Sequence, residues 1–286
     1  MTNPADVKVA VVGAGGKMGM RVSNNFAKSD YQTAYVENSP AGAERVRATG
    51  RELTDQATAV AGADVVVLAV PDIALGPVTR SIADQLKPGA VVITLDPAAA
   101  YAGLLHLVEG VGYLCAHPCH PSVFLERKTA EEWSDTFGGI AAPQEVVAAR
   151  QAGTDEQQDL GEAVIRCMYG PVIDVHWVTV KQLAQLEPTL VETVGCMIGQ
   201  FLKDVMDHAI NEVGIPEPAV KAIFYGHVYI ALTNALRGSN PFSDACLLAM
   251  DYGREAVIKD DWKRIWDDSD LDVVLAKMLR LESIER

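Results

Sequence analysis

The fold class predicted for this chain is a doubly wound α/β domain with a parallel sheet, followed by an all-α C-terminal domain. Three observations predict it. Apolar β-branched runs alternate with helical patterns up to about residue 175, as crossover helices between parallel strands require. The first of those runs breaks into a glycine cluster that opens directly into a helix. Beyond His176 no convincing strand follows through Val213, and apolar residues recur at helical spacing, at Leu190, Val194, Met197, Ile198, Phe201, Leu202, Val205 and Met206.

Val9 to Val12 is the first strand, and it stops at Gly13. Gly15, Gly16 and Gly19 follow, with Lys17 and Met18 between them, and then a helix over Arg21 to Lys28. Unpaired N–H groups at a helix start, with the positive end of the helix dipole, favour an anion such as a pyrophosphate. Glycine allows the sharp turn and the close approach of a ligand. The spacing departs from strict G-x-G-x-x-G, since Met18 holds the third position. The context of strand, turn and helix is the one that makes such a motif meaningful. The next strand, Thr33 to Val36, ends at Glu37, where a carboxylate can accept hydrogen bonds from both ribose hydroxyls of an adenosine and would repel a 2′-phosphate. The expected cofactor is therefore NAD rather than NADP.

Asp64 to Pro71 reads as a buried parallel strand, continuously apolar up to a turn proline. Lys87-Pro88-Gly89 turns into a strand over Ala90 to Leu95, and Gly112 to Ala116 is another. Ile140 to Ala142 is read as a short further strand, Asp155 to Met168 as a helix, and Val172 to Val175 as the sheet edge. Helices then fit Pro218 to Arg237, Phe242 to Lys259 and Leu271 to Ile284. These readings give a Rossmann NAD-binding domain at 1–176 and a helical substrate and dimerisation domain at 177–286. A long helix apolar over a wide arc needs more partners than one small helical domain supplies, which points to a homodimer.

With 286 residues, 49% of them hydrophobic, the chain suffices for two domains with cores. No apolar run approaches bilayer length, and residues 1–7 lack the basic start and apolar stretch of a signal peptide. Five scattered cysteines do not suggest a disulfide framework, and a cytoplasmic location is expected. A formal charge of −14 argues against a nucleic-acid partner and means that an anionic substrate needs local donors or a metal.

Cys115-Ala116-His117-Pro118-Cys119-His120-Pro121 lies where a strand enters the expected crevice. Its imidazoles can bind a metal or move protons near neutral pH. The four potential ligands Cys115, His117, Cys119 and His120 fit no common structural zinc spacing, and along a strand His120 would point opposite to the other three. His120 is the leading candidate for the active site, with His117 second. Glu187 and Glu192 open the helical region among apolar neighbours, where unpartnered charge is costly. On an ideal helix they stand about 140° apart, so they converge only if the helix bends at Pro188 or another segment completes the pair. Asn240-Pro241-Phe242-Ser243-Asp244 is a helix start; it is read either as simple capping or as a holder of a substrate carboxylate or hydroxyls through Asn240, Ser243 and Asp244. His227, between Tyr225 and Tyr229, is either a core histidine or a substrate ligand that reaches over from the partner subunit.

Val-Val-Gly-Ala-Gly-Gly-Lys-Met-Gly, then Val-Val-Leu-Ala-Val-Pro-Asp, then Leu-Lys-Pro-Gly-Ala-Val-Val, joined to a helical domain, resembles the 6-phosphogluconate and 3-hydroxyacid dehydrogenase superfamily. The segments Ala116 to Pro121, Gln185 to Pro188 with Glu192, and Asn240 to Ala245 are similar to the narrower D-apionate oxidoisomerase (phosphogluconate dehydrogenase-like) family. Lys181 is present, but no asparagine stands one turn beyond it, so the hydroxyacid dehydrogenases' lysine-and-asparagine motif is not matched. The resemblance implies cofactor contacts at the glycine turn and at Ala69, Val70, Pro71 and Asp72. It implies an NAD-dependent oxidoreductase of a small branched or polyhydroxy sugar acid: oxidation of D-apionate, then an α-ketol shift to 3-oxo-isoapionate. A general base, His120 or one of the glutamates, would take the hydroxyl proton. A divalent cation such as magnesium, held by His120, Glu187 and Glu192, would assist as Lewis acid. The rival readings are a plain hydroxyacid or phosphogluconate-like dehydrogenase without rearrangement, and a non-catalytic NADH-binding sensor.

Overall fold

The computed structural model describes residues 3–285. They form a seven-stranded sheet of β1 (Lys8–Val12), β2 (Gln32–Val36), β3 (Val65–Leu68), β4 (Val91–Thr94), β5 (Gly112–Pro118), β6 (Gln144–Ala152) and β7 (Val172–Val178). The spatial order is β2-β1-β3-β4-β5-β6-β7. All neighbours run parallel except β5 and β6. The helices of this part are α1 (Lys17–Phe26), α2 (Pro40–Arg47), α3 (Gln56–Gly62), α4 (Asp72–Ile82), α5 (Ala98–Tyr101), α6 (Ala130–Ser134), α7 (Asp155–Met168) and α8 (Val180–Ala184). A π-helix (Gln185–Cys196), α9 (Met197–Asn211), α10 (Glu217–Arg237), α11 (Asp244–Val257) and α12 (Asp268–Leu279) complete the chain.

The expected α/β sheet followed by a helical region is what the chain forms, with three local differences. The first helix begins at Lys17 rather than Arg21. Gly19 lies inside it because a Cβ there would stand 1.9 Å from the Gly13 carbonyl oxygen. The strand expected at Ile140–Ala142 is absent: the amides of all three residues donate to the Asp135 carboxylate. The sheet instead gains β6, which buries Gln144, Val146, Ala148 and Ala149 and pairs antiparallel with β5.

Compactness divides the chain into one unit of residues 1–187 with 272–286, and a second of 188–271. The change of texture after His176 is thus not the place where the compact units part. The first unit's core is the set of parallel strands, with Val9, Val11, Val65, Val67, Val91 and Ile93 packed against Val22 and Phe26 of α1 and Val164, Ile165 and Met168 of α7. In the second unit α9 and α10 pack together while apolar side chains such as Ile198, Phe201, Ile223 and Ile230 remain exposed.

The order β2-β1-β3 reverses chain direction across the sheet at β1/β3, the switch point beside which doubly wound folds bind ligands. Gly13, at φ +83°, makes the turn that leaves β1, and a Cβ on it would lie 2.4 Å from the Ala69 carbonyl oxygen. Only glycine tolerates both conditions.

Candidate active site

A cleft of about 370 Å³ opens at the carboxyl ends of β1, β3, β4 and β5. The glycine turn contributes Gly16, Lys17 and Met18, the loop after β3 contributes Ala69, Val70, Pro71 and Asp72, and Asp96, His117, His120 and Phe137 line the rest. A larger hollow of about 840 Å³ lies at the amino ends of β4 and β5, but its ionisable lining residues among those described are Glu109 and Glu156. It offers no acid–base or metal-binding cluster, so the smaller cleft is the candidate site.

The dinucleotide side of the cleft fits its expected ligand. Gly16 caps α1 with no side-chain hydrogen bond, and a Cβ built on it would meet no atom closer than 3.4 Å, so the space above the helix start is open. Glu37 ends β2 and accepts the Gly15 and Ser39 amides at 2.9 and 2.8 Å. Burial pushes its carboxyl up, but the bonds from Ser39, Gly15 and Asn38 outweigh this and hold it below the ordinary value, ionised at neutral pH.

The chemistry side is built by three neighbouring elements. Asp96 follows β4 and accepts the Ala98 amide at the start of α5. Parallel register pairs Thr94 with Cys115, so two residues further on Asp96 stands beside His117 at the end of β5. The Nδ1 atom of His117 is 3.9 Å from Asp96 Oδ2. Leu183 of α8 is buried among Ala100, Cys115 and Ala149, which anchors the chain one turn before Glu187. Ligand atoms of Asp96, His117 and Glu187 all lie within 4.8 Å of one another. His117 Nδ1 is buried without a hydrogen bond. Burial, then the charge of His120, pulls His117 down to about 4 against an opposing backbone hydrogen bond at Leu95, so the imidazole is neutral at pH 7. Asp72 is pushed up to about 7 by burial and then by the Asp96 charge. Two carboxylates and a neutral imidazole converging in this way match the donor set of a divalent cation.

Of the residues read from the sequence, the structure brings together His117 and Glu187. Asp96 joins them, although no sequence motif marks it; the available signal was a carboxylate just past a strand that neighbours the histidine strand. His120 stands outside the cluster. It does not oppose His117 across a strand, because β5 ends at Pro118 and His120 adopts φ +60°, which leaves the two imidazole rings 6.3 Å apart in the same cleft. Cys115 is buried with its thiol pushed up to about 12 by burial, and Cys119 is exposed. Neither belongs to the cluster. Glu192, His227, Asn240, Ser243 and Asp244 lie in the second unit, all exposed. Glu187 and Glu192 are both on the π-helix, where i→i+5 bonding replaces the α-helical pattern on which they would diverge. Ser243 accepts the Cys246 amide as the cap of α11, and His227 Nδ1 lies 2.8 Å from the Ile223 carbonyl.

Fold and cleft define a dinucleotide-binding oxidoreductase of the phosphogluconate dehydrogenase type. Residues 8–100 match the NAD binding domain of 6-phosphogluconate dehydrogenase, and residues 125–279 match the C-terminal part of decarboxylating phosphogluconate dehydrogenase. The chain is 58% identical to the D-apionate oxidoisomerase of Pectobacterium atrosepticum, covering 97% of this chain and 98% of that protein. It is 40% identical to that of Cupriavidus necator over 92% and 96%. The chain belongs to this family of D-apionate oxidoisomerases. Among solved structures, a semialdehyde dehydrogenase NAD-binding protein from Cupriavidus necator, in complex with calcium and NAD, superposes with a TM-score of 0.92 at 38% identity, covering 96% of this chain and 99% of that one.

Proposed function

We propose that the chain oxidises D-apionate with NAD and then shifts a hydroxymethyl group, yielding 3-oxo-isoapionate. The observation that carries this reading is the convergence of Glu187 on Asp96 and His117, two residues that line the cleft beginning at the glycine turn. A simple hydride transfer needs no such donor set, whereas an α-ketol shift would gain from the Lewis acid that such a donor set would hold.

Asp96, His117 and Glu187 would hold a divalent cation, and the Nδ1 of His117 is the buried atom left for it. When bound, the cation supplies Lewis-acid polarisation and NAD accepts the hydride. His120 takes the proton of the hydroxyl next to the carboxylate as the C–H hydride leaves. In the second stage the bond from C3 to a hydroxymethyl carbon is broken and re-formed to C2. The C3 hydroxyl becomes the ketone as its proton departs, and the C2 oxygen regains a proton, so this stage is redox-neutral. His120 serves both stages: it releases the first proton to solvent, then takes the C3 hydroxyl proton and returns it to the C2 oxygen. Glu37, ionised beside the glycine turn, supports NAD over NADP.

The first unit would then be the NAD-binding domain and the helical region the substrate and dimerisation domain. Exposed Met197, Ile198, Phe201 and Val205 on one helix support a homodimer, and the remaining roles of Glu192, His227, Asn240, Ser243 and Asp244 belong to that region. Five free thiols fit a cytoplasmic location. No helix among the described residues is long and apolar enough to cross a membrane. The test is a panel of sugar acids with NAD, followed by absorbance at the NADH band and by light scattering. D-apionate should give the highest kcat/KM on a dimeric protein. NADH formation from other hydroxyacids but not from D-apionate would refute the substrate, and a monomer at micromolar concentration would refute the dimer.

A further inference from the structure

We propose that Asp135 is a positioning residue that fixes which ring nitrogen of His120 carries the proton, acting through the backbone carbonyl of Phe137. The proposal deepens the reading of His120 as the proton-transfer residue and rests on it.

His120 Nδ1 lies 2.7 Å from the Phe137 carbonyl oxygen. A carbonyl oxygen only accepts, so Nδ1 must donate. The proton is then on Nδ1, and Nε2 is the nitrogen with a free lone pair. A general base loaded in this way keeps its Nδ1–H bond before and after it takes the substrate proton. The His120 backbone is held in the left-handed region at φ +60°, which a non-glycine residue keeps only when its surroundings enforce it. Two contacts do so: the His120 amide donates to Gln144 Oε1 at 3.1 Å, and its ring rests on that of Phe137 with centroids 4.4 Å apart.

The Phe137 carbonyl can select a tautomer only if it stays in place. Its segment carries Gly138 and Gly139, both at positive φ, and has no regular hydrogen-bond ladder. Asp135 replaces that ladder. Its carboxylate, 5% exposed, accepts the amides of Gly138, Ile140, Ala141 and Ala142 at 2.8–3.1 Å. From the other side Arg21 of α1 donates to the Gly138 carbonyl, and Arg21 and Lys17 both lie over the Phe137 ring. The first turns of α1, which begin the dinucleotide side of the cleft, thus hold the same loop that orients the histidine.

The test is long-range 1H–15N spectroscopy of the full 15N-labelled chain at pH 8. His120 is identified among the six histidines by the signal lost in His120→Gln. The expected wild-type pattern is protonated Nδ1 with unprotonated Nε2. Asp135→Asn keeps the size of the side chain but removes acceptor capacity, so the His120 signal should move toward the other tautomer, with kcat falling by about tenfold or more and KM for NAD unchanged. Arg21→Gln, which loosens the same loop from outside the turn, should move it in the same direction, and it decides the matter if Asp135→Asn does not fold. A wild-type Nε2–H tautomer overturns the proposal. So does a fall in kcat with the tautomer unmoved, or a moved tautomer with kcat intact. Because the tautomer is read without substrate, it also decides the proposal when D-apionate proves not to be the substrate.

Discussion

Replacing Glu37 with glutamine should lower the ratio of kcat/KM for NAD over NADP by roughly three hundredfold. Two contributions give this size. An ionised Glu37 accepting from ribose hydroxyls makes charge-assisted bonds, of which glutamine keeps a weaker share; at a partly exposed site the loss is about 1.5 kcal/mol, or about tenfold in NAD affinity. A 2′-phosphate of charge about −2 facing the carboxylate at contact distance meets about 2 kcal/mol of repulsion even in water-like surroundings, and glutamine removes it. The two add because they act on different cofactors. A separate effect on stability is expected, since Glu37 accepts both the Gly15 and Ser39 amides and glutamine has one oxygen for the two. One partly exposed amide left unbonded costs about 1 kcal/mol, a Tm fall of about 2–4 °C for a chain of this size. The assay is initial-rate kinetics with both cofactors, with a thermal melt alongside. A wild-type preference for NADP, or a ratio that moves less than threefold in the variant, would refute the assignment of Glu37 to the ribose.

Glu187→Gln and Asp96→Asn should each weaken Mn²⁺ binding, read by titration calorimetry, by at least about tenfold, whereas His120→Ala should lower turnover about a hundredfold and leave Mn²⁺ affinity nearly unchanged; equal loss of cation affinity in all three would show that the roles are not divided in this way. Gly19→Ala forces a Cβ to 1.9 Å from the Gly13 oxygen, so the urea midpoint should report about 1–3 kcal/mol of lost stability, together with a raised KM for NAD. His117, held at about 4 by burial and then by the His120 charge, binds fewer protons in the folded chain than in the unfolded one between about pH 6.5 and 4. Its contribution is whole above that range and is lost as pH falls through it. The drop in unfolding free energy from pH 7.5 to pH 5, measured in chelator, should therefore be smaller in His117→Gln than in wild type.

The glycine turn, Glu37 and the strands up to β5 were legible because each is written in consecutive residues: an apolar run, its breaker and the next helix. β6 was not. Gln-Glu-Val-Val-Ala-Ala-Arg-Gln-Ala has the composition of a helix as much as of a strand, and it is the pairing of Ala148 and Ala149 with β5 that decides its state. Asp96 was hidden for a related reason. One acid after a strand is unremarkable until parallel register sets it beside His117, and register is a long-range property. The direction expected for the His120 side chain failed on a single backbone angle, because strand alternation was carried two residues past the end of β5. The π-helix that bears Glu187 has no local mark beyond Pro188, so the angular argument drawn from an ideal α-helix did not hold there.

The central claim is that one cleft performs an oxidation and a carbon shift. It is tested most directly by 13C NMR of the product formed from D-apionate and NAD, with a divalent cation and after exhaustive chelation. The expected result is one NADH per product molecule, with the hydroxymethyl carbon moved to C2 and the ketone at C3, and loss of that product after chelation. A product that keeps the ketone at C2 and the original carbon skeleton, in the presence of the cation, would contradict the account.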